Sequence, residues 1–105
     1  MKTIITSSGP DLKASMDPRF GRCEFFCILD EETGKTEFLE NKAKFQSSAA
    51  GTAAAEKVVE LSVKKVISGD FGPKAKSMLD RFGIHMVIMK NEGQPIADII
   101  GKVTG

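Results

Sequence analysis

The residues of this chain with the most chemistry in them gather near position 20. Asp17, Arg19, Arg22 and Cys23 stand around Phe20 and Gly21. Two guanidinium groups can grip an oxyanion through paired hydrogen bonds. Equally, one arginine can pair with Asp17 and order the segment. Cys23 is a soft donor that either ligates a metal or packs. Four residues of extended chain place Cys27 about 13 Å from Cys23, too far for a disulfide or for one tetrahedral metal ion. Cys27 reads as a buried core thiol on the same strand face as Cys23. Met16 is a second soft donor, or a packing plug.

Further on, Gly69-Asp70-Phe71-Gly72-Pro73 is a turn that lets backbone approach a ligand closely. Any strand-to-helix turn asks for the same residues. Ala50-Gly51-Thr52-Ala53 lacks Walker spacing, so nothing points to nucleotide hydrolysis. His85, the one histidine, falls at the start of a strand, on the edge away from these segments.

Strands and helices must bring these pieces together. Thr3 to Thr6 reads as a first strand, followed by a long loop over residues 8–22. A structureless loop of about 15 residues in a small domain is more often functional than idle. Cys23 to Asp30 and Lys35 to Leu39 form a hairpin around Glu31-Glu32-Thr33-Gly34. Ser48 to Leu61 is a first helix, with Ser47, Ser48 or Thr52 as cap. Lys65 to Ser68 is a fourth strand. A second helix opens at Gly72-Pro73, carries Ala75, Met78, Leu79 and Phe82 as its apolar stripe, and ends at Gly83. Ile84 to Met89 is a fifth strand. A last helix opens at Glu92-Gly93-Gln94-Pro95 and carries Ile96, Ile99, Ile100 and Val103.

The order β-β-β-α-β-α-β-α predicts an α/β fold. Its layers are α/β/α around a five-stranded mixed sheet, with strand order 3-2-1-4-5. In that topology all three helices start at the upper edge of the sheet, beside loop 8–22. Helix N-termini there aim free N–H groups and positive dipole ends at one region, which favours an anion.

Composition narrows the field. A length of 105 residues with 41% hydrophobic and 28% charged residues fits one domain, residues 1–105, that folds without disulfides or a structural metal. The net charge is +1. Five basic and eight acidic residues give −3 over residues 1–40, and ten and six give +4 over residues 41–105. Neither half has the one-sided field that nucleic acid or an anionic membrane asks for. Trp and Tyr are absent, which leaves seven Phe for any base stacking. No apolar run approaches the roughly 20 residues of a membrane span, and no signal peptide is expected. Two cysteines then suggest reduced thiols and a cytoplasmic location.

Asp17-Pro18-Arg19-Phe20-Gly21-Arg22-Cys23, with Phe25-Phe26 and Asp30 behind it, resembles the signature segment of the dinitrogenase iron–molybdenum cofactor biosynthesis and binding domain. The later half is similar as well: Gly51, then Lys65-Val66-Ile67-Ser68 running into Gly69-Asp70-Phe71-Gly72-Pro73-Lys74-Ala75, then Leu79 and Gly83-Ile84. The likeness runs from Ile4 to about Val87. It implies a ribonuclease H-like fold and a small carrier of the NifX, NafY and NifB C-terminal kind. It also implies an iron–sulfur or iron–molybdenum-type cluster as cofactor. Asp17, Arg19, Phe20, Gly21, Arg22, Gly69, Phe71 and Gly72 are the implied binding residues, and Cys23 the implied metal ligand. Nitrogenase-dedicated members are expected to carry histidine before Phe-Gly, where this chain has Arg19, so Cys23 with arginine contacts takes that role.

The leading expectation is therefore a non-enzymatic accessory protein that binds or carries an anionic metallocluster, working with metallocluster assembly proteins as a monomer or homodimer. An alternative is a binding module for a small oxyanion or a protein partner, without metal. A nuclease or phosphotransferase needs clustered carboxylates around magnesium. The first strand has no Asp or Glu, and Asp17 with Asp70 makes a poor two-metal site.

Overall fold

The structure of the chain is a computed structural model in which residues 1–46, 49–90 and 93–104 are described. The sheet is built outward from Lys2–Ser7 (β1), whose run of β-branched residues is buried on both faces. β1 pairs antiparallel with Phe25–Asp30 (β2), and β2 pairs antiparallel with Thr36–Glu40 (β3). On its other side β1 runs parallel to Lys65–Ser68 (β4), and β4 runs parallel to His85–Ile88 (β5). The order β3-β2-β1-β4-β5 is the expected one. Ala50–Glu60 (α1), Pro73–Arg81 (α2) and Ile96–Thr104 (α3) are the helices. Gly34 closes the β2–β3 hairpin with φ +75°, a conformation that costs glycine nothing.

Alternation along β1 divides the core. Ile4 packs with Phe26, Val58, Val66 and Leu79 beneath α1 and α2. Ile5 packs with Cys27, Ile67, Ile96 and Ile99 beneath α3. Each buried aliphatic side chain contributes about 2 kcal/mol of transfer free energy. Two helices thus cover one face and a single helix the other. Among the described residues, no helix is long and apolar enough to cross a membrane.

Three local expectations change. β2 starts at Phe25, so Cys23 precedes the strand; Cys23 packs beneath α1 and α2 while Cys27 lies beneath α3. The two thiols do not share a face, because the chain turns before the strand and its two-residue alternation does not extend back to Cys23. The first helix starts at Ala50, with Ala49 at its N-cap in the left-handed region (φ 59°) and no side-chain cap. Thr52 lies inside the helix, and Ser47 and Ser48 fall outside the described residues. An unforeseen 3-10 turn, Lys42–Phe45, follows β3, and the Asn41 side chain caps it by accepting from the Ala43 N–H.

Candidate functional site

Two hydroxyls at the upper ends of β1 and β4 fix the start of the site. Thr6 Oγ1 donates to the Asp17 carbonyl at 2.5 Å, and Ser68 Oγ donates to the Pro18 carbonyl at 3.3 Å. Arg19 then runs beside Asp70 in a parallel bridge. The two signature segments, some 50 residues apart in sequence, therefore meet at one end of the sheet. The contact is tight: a Cβ on Gly69 would lie 2.8 Å from Pro18 Cα. A Cβ on Gly21 would lie 2.6 Å from the Gly51 nitrogen, so Gly21 packs directly on the first turn of α1.

Around these glycines the side chains take distinct jobs. The Asp17 carboxylate is buried and receives the Arg19 guanidinium at two points, Nε to Oδ1 at 3.2 Å and Nη2 to Oδ2 at 3.1 Å. It also accepts the Arg19 backbone N–H at 2.9 Å. The hydrogen bonds that Arg19 donates to Asp17, and the charge of that carboxylate, hold the Arg19 guanidinium in its charged form, raising its pKa. Arg22 reaches the other way and donates to the carbonyls of Lys44 and Gln46 at 2.7 and 2.6 Å. Phe20 and Phe71 stack with ring centroids 5.3 Å apart, both buried. Asn41, also buried, donates to the carbonyls of Gly21 and Cys23 and braces the bend between them.

A cleft of about 400 Å³ opens over this frame. Arg19 to Arg22 form one wall, Ala49 to Thr52 a second, and Asp70 with Gly72 to Ala75 the third. Its charged lining is Arg19, Arg22 and Lys74 against Asp70, a surplus of positive charge. The N-termini of α1 and α2 both open into it, and neither is capped by a side chain. The first peptide N–H groups and the positive dipole ends thus face the same space as the cations.

α3 does not join them. It packs on the opposite face, and the N–H groups of Ile96 and Ala97 donate to the carbonyls of Ala14 and Leu12 at 2.8 and 3.0 Å. The expected convergence of three helix starts is a convergence of two. The third is sealed by loop 8–22 itself.

Of the residues singled out from sequence, Arg19, Phe20, Gly21, Arg22 and Gly72 line the cleft. Asp17, Gly69 and Phe71 support it from behind. Cys23 is fully buried, and its thiol donates to the Phe20 carbonyl at 3.4 Å. Burial, with Asp17 as a nearby negative charge, pushes the Cys23 thiol up to about 12. In this arrangement Cys23 packs in the core beneath α1 and α2. Burial likewise pushes Cys27 up to about 12. Met16 packs with Ile5, Ile67 and Ile99 as a plug. His85 is exposed at the lower end of β5. Among the described residues no group of three or more His, Cys, Asp or Glu is placed to hold a metal ion.

Sequence reasoning brought the start of the first helix to this edge but named neither Ala49 nor Lys74 as a binding residue. The one available signal was an alanine- and glycine-rich helix start where a capping residue is usual. Thr6 and Ser68, polar ends on apolar strands, were a second.

A cleft with a surplus of positive charge thus lies at the carboxyl edge of a mixed α/β sheet, between two helix starts without side-chain caps. The chain belongs to the dinitrogenase iron-molybdenum cofactor family, whose match spans residues 1–105. It is 36% identical over 72 residues to an uncharacterized protein of Methanocaldococcus jannaschii, a match covering 66% of this chain and 61% of that relative's length. The apo form of the orange protein from Desulfovibrio gigas superimposes with a TM-score of 0.90 at 29% identity, covering 97% of this chain and 85% of that one. A Thermotoga protein of the DUF35 family, described as a candidate NifB protein, gives a TM-score of 0.82 at 25% identity over 98% of this chain and 86% of that one.

Proposed function

We propose that this chain is a non-enzymatic accessory protein, a single cytoplasmic domain over residues 1–105, that binds or carries an anionic metallocluster in the cleft between α1 and α2. The observation that carries the reading is the meeting of two uncapped helix starts with Arg19, Arg22 and Lys74 around about 400 Å³. Membership of the iron-molybdenum cofactor family supports it, as does likeness to an orange protein described as an apo form. The strand order β3-β2-β1-β4-β5 supports the ribonuclease H-like classification.

The chemistry of the cleft says how such a guest is held. No thiolate, imidazole or methionine sulfur lines it. An iron–sulfur or iron–molybdenum-type cluster held here would bring its own sulfide and would take its remaining terminal ligands from outside this lining. The protein then supplies charge and N–H donors to the outer atoms. Each charge-assisted hydrogen bond contributes about 2 kcal/mol. Asp17 aims Arg19, Gly21 and Gly69 allow the close packing, and Phe20, backed by Phe71, forms the floor. Partners in this reading are the assembly proteins that deliver or accept the cluster.

Anoxic reconstitution with iron and sulfide, followed by visible absorption, tests the reading. A chromophore that survives Cys23→Ser and is lost in the Arg19→Ala/Arg22→Ala variant is the expected result. A chromophore that follows Cys23 and ignores both arginines rejects it. A second reading, a binding module for a small oxyanion or a protein partner without metal, is favoured by the burial of Cys23. Calorimetric titration with phosphate and molybdate, showing binding tighter than any cluster uptake, would decide for it.

A further inference from the structure

The sheet has two edges, and they are protected differently. β3 carries Glu37 and Glu40, with Lys35 just before it. Charged side chains on an edge strand discourage pairing with another chain. From Ile84 to Met89 the β5 side has no Asp, Glu, Lys or Arg. Ile88 on β5 and Phe82 beside it are 59% and 54% exposed. An open, uncharged edge with large apolar side chains is a template for another strand.

The hydrogen-bond register shows which groups are free for it. The His85 N–H donates inward to Lys64, and the Met89 N–H donates inward to Ser68. By strand alternation Met86 and Ile88 present their N–H and C=O groups outward. Met86 and Ile88 also share the α2 face of the sheet. They lie beside Lys76 and Asp80 of α2, which line the same groove.

We infer that β5 is a self-pairing edge, joining a second copy of this chain antiparallel about a two-fold axis at Val87 into a continuous ten-stranded sheet. The symmetry operation itself tests the fit. With Val87 opposite Val87 of the second copy, Met86 stands opposite Ile88, and the two residues exchange their outward hydrogen bonds. The same pairing stacks Met86 on Ile88 across the junction, twice. α2 of each copy then lies antiparallel to the other on the same face. Lys76 and Asp80, one turn apart on α2, exchange ends under the two-fold, so Lys76 of each copy meets Asp80 of the other. An isologous interface needs this self-complementarity; the hydrogen-bond exchange is common to edge strands, and the Lys76–Asp80 exchange is what α2 adds.

Sedimentation equilibrium over a range of chain concentrations reads the outcome, with circular dichroism confirming that each variant is folded. The wild type is expected at twice 11.3 kDa. Ile88→Pro removes an outward N–H without touching the bonds to β4, and is expected as a folded monomer. Asp80→Lys sets like charges opposite one another and weakens the dimer about tenfold, and Lys76→Asp/Asp80→Lys restores it. A wild type that stays monomeric would overturn self-pairing. A dimer indifferent to Ile88→Pro and to the charge exchange would place the interface elsewhere and overturn it equally.

Discussion

The two faces of the sheet end in the same kind of feature and use it oppositely. Beneath α1 and α2 the helix starts are left open, and the chain brings Arg19, Arg22 and Lys74 to them. Beneath α3 the helix start is closed, because the carbonyls of Leu12 and Ala14 take the Ala97 and Ile96 N–H groups. A helix N-terminus attracts anions in either case. It becomes a site only where the fold withholds an internal partner. Loop 8–22 does both jobs: its first half seals α3, and its second half builds the wall of the cleft.

The faces share one device, a buried thiol each, and that gives the largest expected effect. Cys23 and Cys27 are both raised from 9.0 to about 12 in the folded chain. Their neutral forms are favoured by folding, so this contribution is complete below pH 9 and is lost as pH rises toward 12. The expected loss is about 1.4 kcal/mol per pH unit for each thiol. Urea denaturation of the wild type between pH 9 and 12, beside Cys23→Ala and Cys27→Ala, checks it. Each substitution should remove about half of the cysteine-dependent slope, and equal slopes in all three proteins would refute it.

Next in size are the glycines that hold the open face together. Gly21→Ala and Gly69→Ala force a Cβ against backbone at 2.6 and 2.8 Å. Each should cost about 3 kcal/mol, seen as a fall in Tm of about 15 °C. Gly72→Ala is the internal control. Gly72 has φ −65° and nothing within 4 Å of an added Cβ, so its stability should change by less than about 1 kcal/mol. A Gly72→Ala protein as damaged as Gly21→Ala would break the comparison.

Smaller effects separate binding from folding. Arg22→Ala should weaken binding of an anionic cluster about tenfold, with a shallower salt dependence than the wild type. Titration at two ionic strengths measures both. Ala49→Gly should stabilise the fold by about 1 kcal/mol, because Ala49 holds φ 59° at the start of α1. Thermal melting reads that change, and a lower Tm would show that Ala49 is not strained.

Much of this was readable from residues. The β-rich run from Thr3 to Thr6, the hairpin at Gly34 and the alternating strands and helices of the second half lead to the observed strand order. The match of Arg19-Phe20-Gly21-Arg22 and Gly69-Asp70-Phe71-Gly72 to one family brought two distant segments to one site. Cys23 was harder. Its distance from Phe25 is two residues, and strand periodicity extrapolated that far puts it at the rim. The bend braced by Asn41 turns it into the core instead. The sealing of α3 was also hidden, since it depends on where the carbonyls of Leu12 and Ala14 point. No side-chain pattern encodes that. The start of α1 was expected at this edge; its direct packing of Gly51 on Gly21 is visible only in three dimensions.

In the proposed function, charge and open peptide groups hold the guest, with no cysteine bond to it. Metal and acid-labile sulfide content of protein purified without oxygen tests this most directly, in the wild type, Cys23→Ser and Arg19→Ala/Arg22→Ala proteins. Bound metal and sulfide in the first two, and their loss in the third, are the expected result. Metal that disappears with Cys23→Ser and stays in the arginine variant would contradict it.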